Sequence, residues 1–169
     1  MAPAPRFVWA DTGSFRIMVH GEEPPTDEEW ARFMAATVRE VEGQLRAPER
    51  KGAVIYSLGG MATPKQRREL QRLQFAGPPP TLVLMSDSRF ARGVATALGW
   101  LMPSLKNFHA LALQEVEKAA SLLSAHAGER SEFKHVLAEL LRELQGSGPP
   151  ASSAREWPRS VRPGDASAR

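Results

Sequence analysis

An α/β fold with a mixed sheet of about five strands is predicted by three features of the chain. Short runs of β-forming residues alternate with longer stretches of helical period, the alternation that builds βαβ units. Two of those runs, residues 53–56 (AVIY) and 81–85 (TLVLM), are apolar throughout, as are strands covered on both faces. Two of the helical stretches open on capping boxes, Thr26-Asp27-Glu28-Glu29 and Thr63-Pro64-Lys65-Gln66, in which side chains satisfy the first unpaired N–H groups of a helix.

In chain order, residues 6–10 (RFVWA) read as a strand and 11–13 (DTG) as a turn. Residues 14–20 (SFRIMVH) alternate, placing Phe15, Ile17 and Val19 on one face and Arg16, Met18 and His20 on a wetter one. The pair makes an antiparallel hairpin. The helix opened by Thr26 carries Trp30, Phe33, Met34, Thr37, Val38, Val41 and Leu45 at three- to four-residue spacing and should run to about Arg46, because Pro48 stops it. The apolar strand 53–56 leads through Gly59-Gly60 into the helix capped by Thr63, with Pro64 in its first turn. Leu70 and Leu73 point inward there, and Lys65, Arg67, Arg68 and Arg72 outward.

After the strand 81–85, Ser86, Asp87 and Ser88 are N-cap candidates for a third helix with Phe90, Val94, Ala97, Leu98 and Leu101 as its stripe. Residues 108–113 read as a last strand and 114–125 as a fourth helix, with Gly128 as an interruption. A final helix over 131–145 shows Phe133, Val136, Leu137, Leu140, Leu141 and Leu144 on one face. The division expected is 1–127 as the α/β domain, 128–146 as an additional amphipathic helix, and 147–169, rich in Pro, Ser, Gly, Ala and Arg, as a disordered tail.

A chain of 169 residues with 42% apolar content can bury a core without staples. It has no cysteine, which removes disulfides, thiolate metal sites and a Cys nucleophile. The net charge of +3 is too small to argue for nucleic acid without a concentrated basic patch. No apolar run approaches the ~20 residues of a membrane span, and MAPAPRFVWADTG lacks the pattern of a signal peptide. A cytoplasmic protein is expected.

Three stretches carry a resemblance: TDEEW, GGMATPKQRREL and LVLMSDSRFARGVATALGWLMP. Together with the element order they resemble the STAS domain of anti-sigma-factor antagonists and sulfate-transporter tails, and the STAS-like proteins grouped with the lipid-binding CRAL-TRIO family. The resemblance covers about residues 6–125. It implies helices packed mainly on one side of the sheet, and a non-enzymatic regulator or adaptor that binds a partner protein. In that family the start of the second helix carries a phosphorylated Ser or Thr within an Asp-Ser-Ser-Gly pattern. This chain departs from it, reading Tyr56-Ser57-Leu58-Gly59-Gly60-Met61-Ala62-Thr63.

The expected partner surface is Gly60, Met61, Ala62, Thr63, Lys65, Arg68, Arg89 and Arg92, at the openings of the helices beginning near residues 64 and 88. Thr63 is a plain helix cap or a phosphosite, where a phosphate would meet the helix dipole and nearby cations, and Ser57 is a second phosphosite candidate. The basic set is a solvated face or an electropositive rim for an acidic partner. No aromatics interleave with it, which disfavours single-stranded nucleic acid. His20, His109, His126 and His135 have no ligand spacing, and neither a GK[ST] loop nor a GxSxG elbow is present; no enzyme, metal or cofactor is expected. The final helix packs back on the domain or offers Phe133, Val136, Leu137, Leu140, Leu141 and Leu144 to self-association or a partner. The alternatives to an adaptor are a carrier of a small apolar ligand or lipid, and a structural subunit that uses the final helix.

Overall fold

In a computed structural model, residues 4–12, 14–43, 52–73, 81–89, 93, 107–124 and 126–146 are described. Strands β1 (Phe7–Asp11) and β2 (Phe15–His20) form the expected hairpin, with Phe7 opposite His20 and Asp11 opposite Arg16. Its turn is fastened by Thr12, whose Oγ1 accepts the Phe15 N–H at 2.9 Å. Strands β3 (Gly52–Ser57), β4 (Thr81–Ser86) and β5 (Phe108–Leu111) follow in parallel, and the order across the sheet is β1-β2-β3-β4-β5.

Helices α1 (Asp27–Gly43) and α2 (Pro64–Gln71) connect these strands. Each parallel strand is laid beside its predecessor in one direction, and crossovers of one hand then put their helices on one face. Both helices accordingly share a core with Phe7, Trp9 and Met18: Trp30, Phe33 and Ala36 come from α1 and Leu70 from α2. Helices α3 (Val116–Leu123) and α4 (Ala127–Leu144) cover the opposite face. There Val8, Ala10, Phe15, Ile17, Val19, Val54, Tyr56, Val83 and Met85 meet Ala119, Leu123, Phe133 and Leu140. The mixed five-stranded sheet is as expected, but its helices sit on both sides. The alternation of Phe7 and Trp9 with Val8 and Ala10 gives the edge hairpin two apolar faces, and both need cover.

Other corrections follow from that cover. The face of β2 expected to be wet is closed. Arg16 is buried with its guanidinium paired to Asp11 at 2.6 Å and donating to Thr37 Oγ1 at 2.8 Å, and it lies over the Phe33 ring. His20 is buried against Phe7, ring centroids 4.6 Å apart. The final helix starts at Ala127, so Gly128 lies in its first turn and not ahead of it; glycine keeps its N–H and C=O and costs a helix only backbone entropy. Its stripe is core: Phe133, Val136, Leu137, Leu140 and Leu144 are buried and Leu141 packs against them. Through them α4 shares its core with β1, β2, β3, β4 and β5. β5 ends at Leu111 because Ala112 turns to exchange hydrogen bonds with Glu115. Apart from Gly93, which is helical, the helix expected over Phe90–Leu101 lies outside the described residues, as does the tail 147–169.

Candidate functional site at the carboxyl edge of the sheet

Loops that follow the ends of parallel strands are where open α/β sheets bind. Here the ends of β2, β3 and β4 are marked by His20, Ser57 and Ser86, adjacent in register and on one face. All three are buried. The two serines fasten the loops that follow them. Ser57 Oγ donates to the Gly60 carbonyl at 2.8 Å and accepts the Gly59 N–H at 3.1 Å. Ser86 Oγ accepts the Ser88 N–H at 3.2 Å. These are the local side-chain-to-backbone bonds that short hydroxyl residues favour in turns. Ser57, a phosphosite candidate from the sequence, is 3% exposed and its hydroxyl is engaged with the backbone of its own loop.

His20 carries no such bond at Nδ1. Burial alone holds it down at about 4, because imidazolium is disfavoured away from water. On the other face, burial and then the charge of Asp87 push the Tyr56 hydroxyl up.

The loop between β3 and α2 is clamped to the loop between β2 and α1. Leu58 and Gly60 N–H groups donate to the carbonyls of His20 and Gly21, at 3.0 and 2.8 Å. A Cβ on Gly60 would lie 2.2 Å from the Glu23 carbonyl oxygen, so only glycine permits this approach. Gly59, at φ +141°, turns the chain outward. The result lifts two large apolar side chains into water: Leu58 is 41% exposed and Met61 39%.

Both expected capping boxes form. At α1, Glu29 Oε2 accepts the Thr26 N–H at 2.8 Å and the Glu29 N–H donates to Thr26 Oγ1 at 3.2 Å. Glu29 Oε1 also takes the Arg6 N–H at 2.7 Å, tying the helix start to the edge strand. At α2, Thr63 Oγ1 accepts the Gln66 N–H at 3.2 Å while Gln66 Oε1 accepts the Thr63 N–H at 2.8 Å. Gln66 Nε2 then donates to the Pro25 carbonyl at 3.1 Å, and Trp30 Nε1 donates to Glu69 Oε2 at 2.9 Å. The two helix openings therefore sit in a fixed relation.

Within the expected partner surface, Met61, Lys65, Arg68 and Arg89 are exposed and Thr63 is half-buried. Gly60 is buried against the Glu23 backbone, and Ala62, half-buried, packs on the Trp30 cluster. Arg92 lies outside the described residues. Leu58 was missed because a leucine ending a β-run reads as core. Glu22 is exposed beside Gly59, and Asp27 and Glu28 are exposed in the first turn of α1; only the fold brings Glu22 next to this loop. Among the described residues, no three His, Asp or Glu side chains gather as metal ligands, and no helix is long and apolar enough to cross a membrane. No family model matches the chain, and neither a curated protein nor a solved structure matches it.

Proposed function

We propose that this chain is a non-enzymatic cytoplasmic regulator or adaptor that docks a partner protein on the β3–α2 loop and the outer face of α2, in the manner of the anti-sigma-factor antagonists it resembles. One observation carries the reading: among the described residues, the two exposed large apolar side chains, Leu58 and Met61, stand on one loop at the carboxyl edge of the parallel strands. Adjacent exposed apolar side chains on a fixed loop form a patch that a partner can cover. The backbone clamp at Gly60 and the Gln66 bonds hold them in place, which lowers the ordering cost of association. In this reading Thr63 serves as the helix cap.

A photo-crosslinking amino acid at position 61, used in the native cell, tests the reading. The expected result is a discrete protein adduct that Leu58→Asp abolishes while the melting temperature is unchanged. Adducts no more abundant than those from position 134 on α4 would end it.

A further inference from the structure

The charge on either side of the apolar pair has opposite sign. Toward α1, the loop abuts Gly21–Glu23, where Glu22 is exposed, and Asp27 and Glu28 are exposed in the first turn of α1. Toward the far side, α2 turns Lys65, Arg68 and Arg72 outward at positions i, i+3 and i+7, one helical face. The sole carboxylate of α2, Glu69, is turned inward onto the indole of Trp30. Among the described residues no ion pair engages Lys65, Arg68 or Arg72. Arg89, also exposed and helical, follows β4, the strand beside β3.

We infer that the partner is a protein segment of matching polarity: an apolar anchor seated on Leu58 and Met61, acidic residues lying along α2, and basic residues on the side of Glu22 and Asp27. Exposed charges contribute little each, yet their arrangement sets orientation and rejects partners of the wrong sign. An anionic membrane or a nucleic-acid backbone would be attracted by α2 and repelled by Glu22 and the acidic first turn of α1. The polar pattern of a protein segment satisfies both flanks. This inference rests on the docking reading above and adds the partner's chemistry and direction.

The test places the photo-crosslinking residue singly at positions 22, 61 and 68 of the full chain in the native cell, with position 134 as control, and sequences the adducts. The inference predicts one partner protein in all three, with acidic residues surrounding the position-68 adduct and Lys or Arg surrounding the position-22 adduct. It also predicts that Lys65→Glu with Arg68→Glu lowers the position-61 yield at least about tenfold, whereas Arg142→Glu on α4 leaves it unchanged. A single partner with neutral or reversed flanks overturns the polarity and leaves the docking reading standing. Lipid, RNA or a second copy of this chain at position 61 overturns the inference. Yields equal to the control at all three positions overturn both readings.

Discussion

The carboxamide of Gln66, 1% exposed, reaches across 41 residues of sequence to the Pro25 carbonyl, 3.1 Å away. Its other end closes the cap of α2 at Thr63. One side chain thus connects the openings of two helices, and the bond to Pro25 lies in a buried site where no water replaces it.

Gln66→Ala should therefore cost about 2–3 kcal/mol, more than loss of a surface cap. Urea unfolding checks this, read as a fall in the midpoint at constant slope. Thr63→Ala, which removes one exchange of the box and leaves the Pro25 bond, should cost only about 1 kcal/mol.

His20 makes stability depend on pH. Its native value of about 4 lies below the ordinary 6.5, so between these limits the unfolded chain binds a proton that the folded chain refuses. Stability is complete above pH 6.5 and falls as pH drops toward 4, by about 3 kcal/mol in all. His20→Gln should flatten that part of the profile, measured as urea midpoints from pH 4 to 8. A slope equal to the parent's would reject burial of His20 as its source.

Gly60→Ala places a methyl within 2.2 Å of the Glu23 oxygen, which backbone must relieve. A loss of at least about 2 kcal/mol is expected, together with loss of crosslinking from position 61, because the loop that carries Met61 shifts.

Phe133→Ala empties a fully buried position that faces Phe15 edge-on at 6.4 Å. The expected loss is about 3–5 kcal/mol. A chain ended at residue 127 should aggregate, since the sheet face under α4 is then bare. A soluble, cooperatively melting remnant would show that α4 is an appendage.

Much of the fold was legible because its signals are local. The boxes at Thr26 and Thr63 and the apolar runs 53–56 and 81–85 act over a few residues, and the element order follows from them. The cover on both faces was hidden, because Arg16 and His20 look polar in sequence. Only the pairing with Asp11 and Thr37, and the Phe7 ring, make them buriable. At the candidate site the cap and the basic face of α2 could be read directly. The exposure of Leu58 could not, since a turn set by Gly59 and a contact with residues 21–23 decide it. The stripe of α4 had the period of an interface and of a core helix alike, and period does not distinguish a chain's own sheet from another's.

Because every strand pairs with the one made just before it, the sheet can grow in step with synthesis, and no strand waits for a distant partner. The helix that seals its second face comes last in the described chain. A ribosome-bound intermediate with all five strands would display the greasy underside of β1 and β2 until Phe133 and its neighbours emerge. That interval is when the nascent protein is most exposed to misassociation and most in need of a chaperone.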